Sequence, residues 1–281
     1  MKPDAVVRAE RLLGSEAESW TRVATRGYAT NEHWTAAFTG GTRAFLKLAA
    51  PTDPCPQWVR DEADVYGAVS GPFMPELLGF DDGDRPLLVF EDLSDARWVP
   101  PWSEADVDAV LAALSELSAT PATKPLPRFD ERRLPSWDSI ARDPESFLSL
   151  GIADAAWLER ALPTLVDAAE RTPLAGDAVI HCDVRSDNLC IRDGRAVLFD
   201  WNLASIGNPA ADLACWLPSL RLEGGPHLPG ADDFAAYLAG FFASRAGLPA
   251  PKTAPNVRAF QLAQLEVALP WACSVHGLPE P

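Results

Sequence analysis

Apolar and polar residues alternate over short spans in the first ninety residues, with β-branched and aromatic side chains at many apolar positions. SWTRVAT at 19–25, HWTAAFT at 33–39 and TRAFLKLA at 42–49 show partial alternation and predict three strands. Gly40 and Gly41 separate the second from the third, a two-residue hairpin signal. VRDEADVYGAV at 59–69 predicts a short helix. ELLGFDD at 76–82 and PLLVFED at 86–92 predict two further strands, turned by Asp82-Gly83-Asp84. The expectation is a small antiparallel sheet with one helix.

After Leu93 the period lengthens. Ser103 and Asp106 form an S-x-x-D capping pattern, and Val107, Val110, Leu111, Leu114 and Leu117 follow at helical spacing over 104–118. Residues 119–136 are rich in proline and basic side chains and read as a loop. Helical patterns recur at 153–170, 209–221, 231–246 and 256–275. Pro163 is expected to break or kink the first of these, and Pro218 and Pro270 to cut the second and fourth. A β-rich part therefore meets a helical part near residues 91–96, with no internal repeat.

One stretch breaks the helical half: VIHCDVRSDNLCIRDGRAVLFDWN, residues 179–202. AVIH, NLCI and RAVLFD are short strand-like runs, and Asp193-Gly194 turns between the last two. His181, Asp183 and Asn188 then fall on a loop, and Asp200 falls just beyond the second arm of a hairpin. A tight hairpin brings its far ends together, so Asn188 and Asp200 should be neighbours. An amide oxygen beside a carboxylate is a hard-oxygen site, which suits magnesium with phosphate and water completing its shell. Asp183, five residues before Asn188, could orient a hydroxyl and accept its proton. Phosphoryl transfer asks little more of a protein than positioning, metal, cation and base. Asp and Asn on loops most often make turns, but their combination with His181 and Asp200 at this spacing favours chemistry.

The bulk properties narrow the choice of partner. The chain has 281 residues with 47% hydrophobic and 23% charged content, the mix of a globular protein of one large domain or two lobes. It carries a net charge of −16, which argues against nucleic acid and anionic membranes as partners. Residues 61–110 hold 13 Asp or Glu against only Arg85 and Arg97, a field that favours cationic ligands. There is no run of about 18 apolar residues and no cationic-then-apolar leader, so a cytoplasmic location is expected. The five cysteines form no CxxC pair and read as buried thiols. With only four scattered histidines, they give no zinc-site pattern.

His181-x-Asp183-x-x-x-x-Asn188 followed by Asp200-Trp201 resembles the aminoglycoside phosphotransferase family, a branch of the protein-kinase-like fold. GNPAADLACW at 207–216 is similar to that family's Gly-x-Pro-x-x-Asp-Leu-Ala segment. The resemblance implies an α+β, two-lobed protein-kinase-like fold. Residues 1–92 would form a small antiparallel-sheet, nucleotide-binding lobe, and 93–281 a mainly helical catalytic and substrate lobe. It implies Asp183 as catalytic base, Asn188 and Asp200 as ligands of Mg2+, and His181 and Asp212 as supports of the loop. Lys47 would grip the α- and β-phosphates of ATP (GTP being possible), with Glu62 as its ion-pair partner. Gly27, Thr30 and Asn31 resemble the nucleotide loop. Phe90, Glu91 and Leu93 fall at the hinge, where the Glu91 carbonyl and the Leu93 amide would read adenine.

Departures from the family pattern are Cys182 in place of glycine, Val184 in place of leucine, and Asn202 in place of an acidic residue. The first two are small apolar changes expected to leave the loop intact. Arg185 is a candidate for stabilising charge on the transferring phosphoryl group. Glu266 and Trp271 are candidate substrate contacts. The implied activity is ATP-dependent phosphorylation of a hydroxyl on a small, cationic molecule such as an aminoglycoside or a basic peptide antibiotic. The alternatives are a metabolic kinase of the choline, sugar or homoserine type, and a non-catalytic nucleotide-binding pseudokinase.

Overall fold

A computed structural model describes residues 1–24, 30–132 and 134–281. The first part begins with a helix that strand-like patterning did not predict, α1 (Asp4–Leu13). The strands β1 (Ala17–Val23), β2 (Glu32–Phe38) and β3 (Arg43–Leu48) follow. Then come α2 (Cys55–Tyr66), β4 (Leu77–Asp81) and β5 (Leu87–Glu91). The strands form one antiparallel sheet in the order β1-β2-β3-β5-β4. Gly40 and Gly41 make the β2–β3 turn with φ of 91° and 90°, values that suit residues without a Cβ. Helix α2 starts earlier than its apolar spacing suggests, because Pro56 occupies its first turn, where a missing N–H costs nothing.

Helix α1 buries Ala5, Val6 and Ala9 in one cluster with Phe38, Leu46 and Val89 of the sheet. Its Arg8 is itself buried, bonding the Asp81 carboxylate at 2.6 Å and the Arg85 carbonyl at 2.6 Å. The helix is thus secured by partners more than 70 residues away, which local periodicity cannot reveal.

The second part holds α3 (Glu104–Ala119), α4 (Trp137–Arg142), α5 (Glu145–Leu148), α6 (Ala155–Glu170), α7 (Ala210–Leu222), α8 (Ala235–Ala246) and α9 (Val257–His276). Ser103 and Asp106 form the expected capping box of α3. Pro218 and Pro270, expected to cut α7 and α9, instead lie inside continuous helices. The neighbours of Pro218, Trp216, Leu217, Ser219 and Leu220, are all buried. Tertiary packing here outweighs one missing helical hydrogen bond.

Four short strands interrupt the helices: β6 (Ala178–Ile180), β7 (Leu189–Arg192), β8 (Arg195–Leu198) and β9 (Ser205–Gly207). β7 and β8 form the expected hairpin, with Asp193 and Gly194 both at positive φ in its turn. β6 pairs with β9 and brackets the hairpin.

The hairpin is also where the two parts are tied together. Arg97, just after the sheet, exchanges two backbone hydrogen bonds with Ile191 at 2.9 and 2.8 Å. Arg192 pairs with Glu91, and the Leu198 amide donates to the Phe73 carbonyl at 2.8 Å. No described helix is long and apolar enough to cross a membrane.

Candidate active site

A cavity of about 410 Å³ opens between the sheet and the β7–β8 hairpin. Phe45, Phe90, Leu93 and Trp98 give it an apolar end, and Lys47, Asn188 and Asp200 a polar one. An apolar end leading to a cation and two oxygen ligands is the chemistry of a site for an apolar ring joined to an anionic tail.

At the polar end Lys47 is shared by two carboxylates. Its Nζ lies 2.6 Å from Glu62 Oε2 and 2.6 Å from Asp200 Oδ1. Lys47 projects from β3 and Glu62 from α2, whereas Asp200 follows β8 in the other lobe. Burial disfavours the ammonium, but the two carboxylates overcome that and raise its pKa, so Lys47 stays charged. Burial pushes Glu62 up against the pull of Lys47. For Asp200 burial acts in the same sense, yet Lys47 prevails and holds it below the ordinary carboxylate range. Asp200 has φ 68° and ψ 58°, a left-handed conformation that ends β8 and turns the chain into 201–203.

The loop beneath the cavity is fixed at nearly every residue. Asp212, at the start of α7, accepts hydrogen bonds from the backbone amides of His181 and Cys182, both at 2.8 Å. His181 is fully buried and its pKa is driven down to about 4, chiefly by burial, so the ring is neutral. The Asp183 amide donates to its Nδ1 at 3.2 Å. The proton therefore resides on Nε2, which donates to the Phe199 carbonyl at 3.1 Å.

Cys182 sits at φ 66°. The loop is intact with this residue, but the backbone occupies the region that glycine adopts freely. The substitution is thus strained rather than neutral.

Asp183 is gripped from two sides. Asn188 Nδ2 donates to its Oδ2 at 2.8 Å and to its carbonyl at 3.0 Å. Arg185 donates to its Oδ1 at 2.5 Å, and reaches Asp187 at 2.8 and 3.1 Å. The guanidinium also lies over the Phe260 ring, 4.7 Å from its centroid. Burial lifts the Asp183 pKa to about 6, with Arg185 pulling it down and Asp200 and Asp187 pushing it up. A carboxyl group poised there can take a proton from an alcohol as that alcohol attacks.

Both Asn188 and Asp200 line the cavity. The Phe199 amide bonds the Asn188 carbonyl at 3.0 Å, which sets the two at adjacent ends of the hairpin. The Asn188 amide nitrogen is committed to Asp183, leaving its oxygen for a cation. Asp200 retains a second oxygen beyond the one held by Lys47. Two hard oxygens from the protein fit a magnesium ion whose remaining ligands are phosphate and water.

Asn31 lines the cavity and caps the Ala50 amide at 3.0 Å. Thr30 does not line it; its hydroxyl lies 4.0 Å from the Cys55 sulfur. Gly27 lies outside the described residues. Phe90, Glu91 and Leu93 all line the cavity. Glu266 is exposed on α9, and Trp271 donates to Asp232 at 3.0 Å; neither lines the cavity.

Asp187 and His33 are among the lining residues that were not singled out from sequence. Asp187 stands within the motif itself. His33 pairs across the ladder with Lys47 and stacks on Phe45 with centroids 5.4 Å apart, a position that strand register could have disclosed.

A family model for the phosphotransferase enzyme family matches residues 25–251. The chain belongs to this family. It is therefore a small-molecule phosphotransferase, a kinase.

Solved structures agree on the protein-kinase-like fold. A candidate fructosamine-3-kinase from Thermobifida fusca is 21% identical, with a TM-score of 0.58 over 95% of this chain and 99% of that one. An aminoglycoside phosphotransferase from Alicyclobacillus acidocaldarius is 16% identical, with a TM-score of 0.56 over 99% and 95%. Amicoumacin kinase hAmiN, solved with AMP-PNP, Ca2+ and Ami, is 12% identical, with a TM-score of 0.54 over 94% and 93%. A search of curated proteins returned no match.

Proposed function

We propose that this phosphotransferase moves the γ-phosphoryl group of ATP to a hydroxyl of a small cationic molecule, an aminoglycoside-type or basic peptide antibiotic being the leading class. The observation that carries the reading is the convergence on one cavity of Lys47 with Glu62, Asn188 and Asp200, with Asp183 bonded directly behind Asn188. Residues 1–92 would hold the nucleotide and residues 93–281 the acceptor and the chemistry.

In this reading the adenine ring lies in the apolar slot between Phe45 and the 90–93 backbone, and Lys47 meets the phosphates. Asn188 and Asp200 would hold magnesium, which when bound neutralises charge on the phosphates. Asp183 accepts the proton of the acceptor hydroxyl as its oxygen forms a bond to the γ-phosphorus and the bond to the ADP oxygen breaks. Arg185, tied to Asp183, keeps that carboxylate aimed and offsets part of its charge. Support for the nucleotide and metal comes from the amicoumacin kinase neighbour, which holds AMP-PNP and Ca2+. Support for a cationic acceptor comes from the net charge of −16 and the aminoglycoside phosphotransferase neighbour.

The test is an acceptor screen with Mg-ATP, followed by mass spectrometry for one added phosphate. Antibiotic amines should gain it, and Asp183→Asn should abolish the gain. Turnover of sugars or amino alcohols with none of any antibiotic would move the assignment to a metabolic kinase.

A further inference from the structure

The loop that carries Asp183 and Asn188 has one further tie, and the motif gives no hint of it. Ser186 lies between them, two residues before Asn188. It is buried at 7% exposure, and its hydroxyl donates to the Glu223 carboxylate. Glu223 stands at the C-terminal end of α7, 37 residues away. Its other carboxylate oxygen accepts the Trp102 indole N–H at 2.9 Å. Trp102 lies on the connection between the sheet and α3, and its ring sits 5.4 Å from that of Trp216 on α7. One side chain thus joins three separate segments: the connection from the hinge, the end of α7, and the catalytic loop.

The local sequence is shaped to present it. Gly224 follows at φ 75°, and the Gly225 amide turns back to the Leu220 carbonyl at 2.9 Å. A Cβ at Gly225 would meet Leu220 side-chain and backbone atoms at 2.2 to 2.9 Å. The Glu-Gly-Gly turn therefore closes tightly and leaves Glu223 directed at the loop.

The geometry points to Glu223 as a positioning residue for phosphoryl transfer, acting through Ser186. Ser186 begins the single turn 186–188 that ends at Asn188, and the Asn188 amide fixes the Asp183 carboxylate. A tie on the Ser186 hydroxyl therefore sets where the proposed metal ligand and the proposed base stand relative to each other. A charged acceptor makes that tie stronger than a neutral one would. The assignment deepens the proposed function and rests on it for its catalytic readout. Its structural readout is independent.

The experiment compares Glu223→Ala, Glu223→Gln, Ser186→Ala and the Ser186→Ala/Glu223→Ala double variant. Glu223→Ala and Ser186→Ala should each lower kcat by about 10- to 100-fold, as a displaced reacting group does, with much smaller changes in the KM values for ATP and acceptor. The double variant should lose no more than the worse single one, since both act through one contact. Glu223→Gln keeps an oxygen for Trp102 and can donate to Ser186, so it should recover most of the loss. Should Glu223→Ala fail to fold, Ser186→Ala and Glu223→Gln carry the test.

Amide hydrogen exchange of residues 183–188 should accelerate in Ser186→Ala whether or not an acceptor is known. Wild-type kcat and wild-type exchange in Ser186→Ala overturn the assignment while leaving the kinase reading intact. Faster exchange in Ser186→Ala, with a wild-type protein that transfers no phosphate to any acceptor, would keep the Ser186–Glu223 tie and overturn the kinase reading instead.

Discussion

Two places in this molecule solve the same electrostatic problem differently. At each, one cation is shared between two carboxylates: Lys47 between Glu62 and Asp200, and Arg185 between Asp183 and Asp187. The Lys47 group is assembled from three elements, with 15 and 153 residues separating its members. The Arg185 group is contained within five residues. In the first, Lys47 prevails at Asp200 and holds it ionised, while burial raises Glu62. In the second, burial prevails and Asp183 rises to about 6. A long-range cluster fastens two lobes around a cation that stays charged. A local one leaves a carboxyl group able to exchange a proton. The same ratio of charges thus gives a clamp in one place and, in the proposed reading, a base in the other.

The largest effect should come from the local group. Asp183→Asn should lower transfer by at least about two orders of magnitude while nucleotide affinity is kept, read from kcat and from AMP-PNP titration. Unchanged kcat would remove Asp183 from the chemistry. Next, Lys47→Met leaves Glu62 and Asp200 facing each other without a counter-charge. It should cost about 3 kcal/mol of stability by chemical denaturation and raise the KM for ATP. Asp200→Ala should weaken nucleotide binding only in the presence of magnesium, which a titration with and without the metal will separate.

A pH profile sharpens the contrast further. Asp183 acts when ionised, so kcat should fall as pH drops through about 6. Arg185→Met removes the positive charge that lowers this pKa, so the acid limb should move to higher pH. A limb that stays in place would assign it to another group. The smallest effect is conformational. At φ 66°, Cys182→Gly should be more stable than Cys182→Ala by about 1 kcal/mol, read as a difference in Tm.

The loop motif was legible from its spacing, though Asp187 within it was passed over, and Lys47 with Glu62 was named only through the family resemblance. His181, Asp183 and Asn188 recur at fixed spacing on one loop, and the Asp193-Gly194 turn predicts where Asp200 returns. The capping box of α3 was legible for the same reason, since Ser103 and Asp106 answer each other within one turn. What escaped the sequence is held by distant partners. Helix α1 depends on Arg8 reaching Asp81, and α7 runs through Pro218 because its flanks are buried on all sides. Glu223 had no spacing to betray it, because its partners Ser186 and Trp102 come from other segments. The interest of Cys182 lies in its backbone angle, which no composition argument reports.

Strand β7 has a consequence of its own. Asn188 precedes its first residue, and Arg192, its last, is paired with Glu91 at the hinge. Four extended residues span roughly 13 Å, so this strand works as a ruler between the apolar end of the cavity and the polar end, where the proposed reading puts adenine and phosphates. Lengthening it by one residue would shift the two ends apart by roughly 3.3 Å and swing Asn188 to the opposite face of the ribbon, leaving a nucleotide able to satisfy one end but not both.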